Sequence, residues 1–305
     1  MTNKGRQITN VLDRKCKAAT MKEGKSSGPL VRRSPIAGTW YPGRADSLAR
    51  SVRELLDAVE PMEVEGELVA LLSPHAGLRY SGSVAAAGYR LLERNRFDTA
   101  ILVGPSHHVY FQGASVYECG AFETPLGQIE IDQELARTIR EASRSMKVFR
   151  EAHDREHSLE MQLPFLQVQD RDLKIVPILL GDQRRPNVEA VADAVGEALG
   201  KVRRSALLIA SSDLSHYKSA GVAARMDQKV AKLVEAFAPD DLMSLLEHHH
   251  EHACGGGPLV AVMRAARALG GTSATILRYG DSGDVSGDKS EVVGYLSAAF
   301  CRPVS

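Results

Sequence analysis

Residues 68–77, LVALLSPHAG, join a short apolar run to a polar turn that carries His75. The same arrangement recurs at residues 101–108, ILVGPSHH, and at residues 207–216, LLIASSDLSH. Short apolar runs of this kind are typical of strands that are buried on both faces of a parallel sheet. These three stretches therefore indicate an α/β fold in which each strand delivers polar residues at its carboxyl end.

The rest of the chain alternates apolar runs with amphipathic segments. Strands are predicted at residues 68–72, 100–103, 175–180, 206–210, 274–279 and 291–300. Helices are predicted at residues 45–60, 83–93, 133–145, 158–167, 187–199, 221–237 and 256–269. Strands that alternate with helices predict a single α/β domain over residues 34–305, with a largely parallel central sheet covered by helices on both faces.

Composition excludes several classes of function. Equal numbers of basic and acidic residues, 38 of each, give no electrostatic basis for binding nucleic acid or a membrane surface. Neither a Walker A motif nor a Gly-x-Gly-x-x-Gly or Gly-x-Ser-x-Gly motif follows a strand. The chain lacks an apolar stretch of about 18 residues, which a transmembrane helix needs. Its four cysteines form no Cys-x-x-Cys pair, which predicts a reducing, cytoplasmic setting.

The first 33 residues differ from the remainder. They contain nine Lys and Arg residues but only two acidic residues, with a Gly, Ser and Lys stretch around residues 24–28. Such a composition cannot bury enough apolar surface to fold by itself. It predicts a disordered basic tail over residues 1–33.

Three strand ends carry the candidate site residues. His75 and His107 each follow a strand on a turn that contains proline, and Asp213 and His216 follow a third strand. Ligands of open α/β sheets bind beyond the carboxyl ends of the strands. Imidazole is also the commonest metal ligand in proteins. We therefore expect His75 and His107 to bind a metal, with Asp213 and His216 beside them.

Cys254 is a further candidate ligand. It precedes three glycines, a proline and the predicted helix at residues 256–269, so its thiol lies near a helix N-terminus. The free N–H groups and the dipole at that end stabilise a thiolate, which binds metals. Glycines also allow the backbone to approach a ligand closely.

Two other polar segments are less decisive. The run at residues 247–252, EHHHEH, resembles a metal-binding box, but consecutive residues of a helix point in different directions. A solvated helix end is the favoured interpretation, with His250 or His252 supporting the site from behind its ligands. At residues 154–160, Ser158 caps a helix, or His157 and Glu160 face the pocket as acid and base.

At these residues the sequence resembles the Memo-like family, whose prokaryotic members are called AmmeMemoRadiSam system protein B. The matching motifs occur in the family's order from about Pro35 to the last strand: AGTWY at 37–41, SPHAG at 73–77, GPSHH at 104–108, TPLG at 124–127, EHSLE at 156–160, SSDLSH at 211–216 and CG at 254–255.

The resemblance implies a fold like that of the class III extradiol dioxygenases, which use non-haem iron. It places the metal positions on His75, His107 and Cys254, with Asp213 and His216 at neighbouring pocket positions. A carboxylate completes the iron triad of the dioxygenases, whereas Cys254 stands in that place here. Two imidazoles and a thiolate suit Fe(II) or copper, and also zinc.

The sequence leaves three functions open. The first is a metal-dependent redox enzyme in which Asp213 and His216 handle protons or orient the substrate. The second is a non-enzymatic protein that binds a peptide or another partner in the same pocket. The third is a zinc hydrolase with a metal-activated water. The family name further implies an association with a radical SAM protein and an AMMECR-type protein.

Overall fold

A computed structural model of the chain describes residues 30–304. The strands are β1 (Val31–Arg32), β2 (Glu67–Ser73), β3 (Thr99–Pro105), β4 (Ala114–Val116), β5 (Ala121–Thr124), β6 (Gly127–Glu130), β7 (Met146–Lys147), β8 (Lys174–Leu180), β9 (Ala206–Ser211), β10 (His216–Lys218), β11 (Ser273–Asp281) and β12 (Val292–Arg302). The α-helices are α1 (Ala45–Asp57), α2 (Leu78–Tyr89), α3 (Gln133–Ala142), α4 (Glu151–Asp154), α5 (Leu163–Gln169), α6 (Arg185–Lys201), α7 (Ala220–Glu235), α8 (Pro239–His248), α9 (Gly256–Ala268) and α10 (Gly283–Ser286). Short 3-10 helices lie at Arg90–Glu93, Glu160–Gln162 and His250–His252.

The main sheet has nine strands in the order β10-β12-β2-β9-β3-β8-β4-β7, with β11 also paired to β12. Its four central strands, β2, β9, β3 and β8, are parallel to one another. Strands β12 and β4 flank them and run antiparallel to β2 and β8. The sheet is therefore mixed, and the parallel arrangement predicted from the sequence holds for its centre.

The central strands are apolar because helices cover both faces of the sheet. Every residue of β3 is buried, as are all residues of β8 except the first. Strand residues alternate between faces, so a strand without exposed positions must be covered on both sides. The apolar side chains of the strands and helices form one continuous core, as expected of a single domain.

The connections explain how the helices are divided between the two faces. The chain passes from β2 through α2 to β3, crossing the sheet in one direction, and from β8 through α6 to β9 in the other. Right-handed crossovers that run in opposite directions place their helices on opposite faces. Helix α2 accordingly packs with α1 and α5, whereas α6 packs with α3 and α9.

Most of the predicted basic tail lies outside the described residues. Its last residues belong to the fold, because β1 pairs with β5 in a small sheet of order β1-β5-β6. Arg32 of β1 is buried and forms an ion pair with Glu160. Within residues 30–304, no helix is both long and apolar enough to cross a lipid bilayer.

Candidate metal centre

The site lies where three adjacent strands end. His75 comes two residues after β2, His107 two residues after β3, and Asp213 two residues after β9, which lies between them. Crossovers to opposite faces leave a crevice at the carboxyl ends of such strands. The turn before α9 brings Cys254 to the same place.

Three of the predicted residues, His75, His107 and Cys254, come together there. One potential ligand atom from each lies within 4.8 Å of the other two. The Cys254 Sγ is 3.2 Å from His75 Nε2, and the imidazole rings of His75 and His107 are 5.2 Å apart, edge to face. Metal bonds of about 2.3 Å to sulfur and 2.0–2.1 Å to nitrogen would span the distance between the thiol and His75.

The ring of His75 is fixed from behind by Ser211. Its Nδ1 is 2.9 Å from the Ser211 hydroxyl, which donates its own proton to the Ser158 carbonyl at 2.7 Å. The hydroxyl also accepts a hydrogen bond from Gln162 Nε2 at 2.8 Å. Because the one hydroxyl proton is already used, Nδ1 of His75 must be the donor. The lone pair is then on Nε2, which faces Cys254.

The ring of His107 is fixed in the same way by Glu156. The buried carboxylate accepts from Nδ1 of His107 at 2.8 Å and from its backbone N–H at 2.6 Å. Burial acts to raise the pKa of Glu156, but the hydrogen bonds that its carboxylate accepts from His107 outweigh burial and hold that pKa well below its usual range. An ionised carboxylate can only accept, so His107 keeps its proton on Nδ1 and its lone pair on Nε2.

The imidazoles of His75 and His157 are neutral near pH 7. His75 is 1% exposed, and burial together with the adjacent His107 lowers its pKa well below the ordinary value. Burial and the nearby His75 lower the pKa of His157 to about 3. Imidazole binds metals only when it is neutral, so these shifts keep the rings competent as ligands.

Close packing positions Cys254. A Cβ atom on Gly255 would lie 2.3 Å from the Ser211 carbonyl oxygen, so only glycine fits against the end of β9. Gln183 donates to the Cys254 carbonyl and accepts from the Gly257 N–H, both at 2.8 Å. Gly255 thus allows a close approach to the backbone of β9, and the close approach to a ligand that the sequence predicts stays a prediction.

The expectation of a stabilised thiolate at Cys254 is wrong for the protein by itself. Burial raises the pKa of this thiol well above its ordinary value, and the charge of Asp213 adds to the effect. Desolvation of the charged form exceeds the modest favourable field of a helix N-terminus. A cation beside the thiol would favour the loss of its proton.

Asp213 and His216 lie next to this cluster. The Asp213 carboxylate accepts from the His75 backbone N–H at 2.7 Å, and its carbonyl accepts from the Cys254 N–H at 3.2 Å. Burial raises the pKa of Asp213 to about 6, although the His75 hydrogen bond opposes the shift. Burial lowers the pKa of His216, whose Nε2 lacks a hydrogen-bond partner among residues 30–304.

The segment at residues 154–160 matches neither sequence-based alternative as a whole, the Ser158 helix cap or the pair of His157 and Glu160 facing the pocket. Ser158 does not cap a helix, because its hydroxyl donates to the Pro105 carbonyl. Glu160 faces Arg32 and accepts from the Tyr41 hydroxyl, away from an acid–base role in the pocket. His157 does face the site and stacks on His107 with 4.5 Å between ring centroids.

One cleft adjoins the centre at Cys254, and a second lies beside Trp40. One, of about 620 Å³, is lined by Cys254, His250 and the apolar side chains of Met243 and Leu246. The other, of about 540 Å³, is lined by Trp40, whose ring lies 4.2 Å from that of His157. Molecules of the size of a metabolite or a short peptide segment fit spaces of this volume.

Several supporting residues were missed from the sequence. Ser211 and Gln162 orient His75, Glu156 orients His107, and Gln183 holds the Cys254 turn. Ser211 ends a predicted strand and Glu156 belongs to the EHSLE motif, so both gave a local signal. Gln162 and Gln183 gave none, because a glutamine in a helix or loop is ordinary.

Comparisons with known proteins identify the family of this chain. The model of the Memo-like protein family matches residues 32–299. A MEMO1 family protein of Methanobrevibacter smithii is 36% identical over 89% of this chain and 100% of its own length, and one of Methanosarcina mazei is 37% identical over 88% and 98%. The crystal structure of an uncharacterized protein from Escherichia coli K12 aligns with a TM-score of 0.49 and 16% identity over 76% of this chain and 99% of its own. The chain therefore belongs to the Memo-like protein family.

Proposed function

We propose that the protein is a metal-dependent redox protein, dioxygenase-like in chemistry, that holds Fe(II) or copper through His75, His107 and Cys254. The observation that carries the proposal is the convergence of these three ligand atoms within 4.8 Å. Three protein ligands leave positions on an ion for water or substrate, as in catalytic rather than structural sites. When bound, the ion would supply the redox chemistry.

The chemistry of the three donors supports Fe(II) or copper. Hard cations such as Mg²⁺ and Ca²⁺ prefer oxygen ligands in larger numbers. Imidazole suits iron, copper and zinc, and a thiolate favours the softer members of that group. Zinc would instead support hydrolysis, so the identity of the bound metal distinguishes a redox from a hydrolytic function.

Asp213 and His216 would handle protons or orient the substrate beside the ion. A carboxyl group whose pKa is about 6 exchanges its proton near neutral pH, as a general acid or base must. The same Asp213 holds the turns of His75 and Cys254 through backbone hydrogen bonds, so its replacement would affect metal binding as well.

The test is anaerobic reconstitution of protein purified without a His tag. Fe(II), Cu(I) and Zn²⁺ are added separately, bound metal is measured by elemental analysis, and O₂ consumption is then followed. We expect one equivalent of metal at the His75 centre, which Cys254→Ser and His107→Ala bind much more weakly. His108→Ala is the matched control, because His108 is an exposed neighbour of His107. If the Cys254 and His107 variants bind metal like the parent, the assignment is wrong.

A non-enzymatic binding function is the second candidate. It is supported by the two clefts, since Trp40 and Cys254 each line one of them and could contact a bound peptide or small molecule. Ligand binding that survives removal of metal by a chelator would favour this function. Association with a radical SAM protein and an AMMECR-type protein stays a prediction, which copurification would test.

A further inference from the structure

A second group of potential ligands lies outside the centre just described. Helix α8 ends at His248, and a 3-10 turn over His250–His252 leads to Cys254. Around this turn, one potential ligand atom from each of His249, Glu251 and His252 lies within 4.8 Å of the others. We call these three residues the His249 cluster. The consecutive histidines are thus not on one helix, so the geometric objection to a shared ion does not apply to them.

The distances within the His249 cluster match those between ligands of one ion. Glu251 Oε1 is 3.4 Å from His249 Nδ1 and 3.5 Å from His252 Nδ1. Two ligands of a tetrahedral ion with bonds of about 2.1 Å are about 3.4 Å apart. The same distances are long for a hydrogen bond to a carboxylate, which is usually about 2.7–2.9 Å. The carboxylate oxygen is therefore spaced as a neighbouring ligand rather than as a close acceptor.

The state of His252 independently indicates a ligand. Its side chain is only 4% exposed, yet neither ring nitrogen has a hydrogen-bond partner among the described residues. A buried polar group without partners is energetically unfavourable, and an ion is one of the recognised explanations.

We propose that the His249 cluster is a second metal site, for Zn²⁺ or a cation of similar preference, that fixes the turn before Cys254. Two imidazoles and one carboxylate form a ligand set that zinc uses, with water completing the tetrahedron. Glu251 and His249 are about half exposed, so the ion can enter from solvent. The proposal does not depend on the function of the His75 centre.

The experiment titrates the full-length chain, purified without a His tag, with Co²⁺ under anaerobic conditions. Thiolate coordination gives a near-ultraviolet charge-transfer band, which reports the Cys254 centre separately from a site without sulfur. We expect a second equivalent that adds visible d–d absorption but no thiolate band, and that Zn²⁺ displaces. His249→Ala and Glu251→Gln should lose this equivalent and keep the thiolate band.

The controls come from the same histidine run. His248 and His250 are exposed and do not belong to the cluster, so His248→Ala and His250→Ala should retain the second equivalent. Retention in His249→Ala and Glu251→Gln would overturn the proposal. So would its loss in His248→Ala, or binding that needs metal in large excess over protein. Absence of the thiolate band alone would count against the His75 centre and leave this site standing.

Discussion

Replacing Glu156 with glutamine tests whether the hydrogen-bond partners of the candidate ligands orient them for metal binding. Four N–H groups converge on the Glu156 carboxylate: two from His107, at 2.6 and 2.8 Å, and the backbone groups of His157 and Ser158, at 3.0 and 2.9 Å. Glutamine has one acceptor oxygen and no charge, so it cannot satisfy all four or hold the proton on His107 Nδ1. Loss of such a partner usually weakens metal binding ten- to a hundredfold, about 1.4–2.7 kcal/mol.

The assay is competitive titration of Zn²⁺ or Co²⁺ against a chromophoric chelator. Glu151→Gln is the matched control, because it removes the same charge from an exposed position five residues earlier. A double-mutant cycle with His107→Ala then tests the route of the effect. Glu156→Gln should weaken binding in the parent but hardly at all once His107 is gone. An equal loss in both backgrounds would refute the idea that Glu156 acts by orienting His107.

Three further outcomes are expected. Gly255→Ala should weaken metal binding and lower the melting temperature, because its Cβ would lie 2.3 Å from the Ser211 carbonyl oxygen, whereas Gly200→Ala, whose Cβ meets nothing within 4 Å, should leave binding unchanged. Burial lowers the pKa of His153 from 6.5 to about 3, so between these pH values the residue is protonated in the unfolded chain and neutral in the folded chain. The free energy of unfolding should therefore fall as pH drops below about 6.5, by up to about 1.4 kcal/mol per pH unit from this residue. Urea unfolding measured at several pH values should show that the free energy of unfolding of His153→Gln depends less steeply on pH than that of the parent. Because burial keeps the Cys254 thiol protonated, metal binding should release a proton and strengthen up to about tenfold per pH unit; calorimetry in two buffers of different ionisation enthalpy would measure that proton.

Sequence patterns predict the centre of the fold well because burial there is complete. Strands β2, β3, β8 and β9 are apolar except at their ends, so their positions were predicted to within two residues. The short strands β4 to β7 have between two and four residues, too few to show a period of two. The start of α2 was predicted five residues late, at Ser83. Its first turn is held by a hydrogen bond from the Leu78 N–H to the distant Trp40 carbonyl, which leaves no local signal.

In the candidate site, too, the sequence predicts features that depend on neighbouring residues and misses those that depend on residues far away along the chain. His75, His107 and Asp213 could be assigned to one edge because each directly follows a strand, and the strand-end rule needs only local information. The partners of these residues could not be assigned, since Glu156 reaches His107 across 49 residues and Ser211 reaches His75 across 136. The acidity of Cys254 was misjudged for a related reason: the helix N-terminus is visible in the sequence, whereas the burial that outweighs it is a property of the fold.

The proposed metal centre would select among cations. Hydrogen bonds fix His75 and His107 with their protons turned toward the protein, so two lone pairs face the thiol without further ordering. The Cys254 thiol, however, loses its proton only if the free energy gained from the metal–sulfur bond exceeds the free energy needed to ionise it, which is increased because burial raises its pKa. Iron, copper and zinc form such bonds, whereas Mg²⁺ and Ca²⁺ gain little from sulfur and find no set of oxygen ligands among these three residues. In the proposed centre, burial of the thiol would thus discriminate against the abundant hard cations. A Cys254→Asp variant should relax that discrimination, binding softer metals less tightly relative to Mg²⁺, and unchanged selectivity would show that the thiol is not the discriminating ligand.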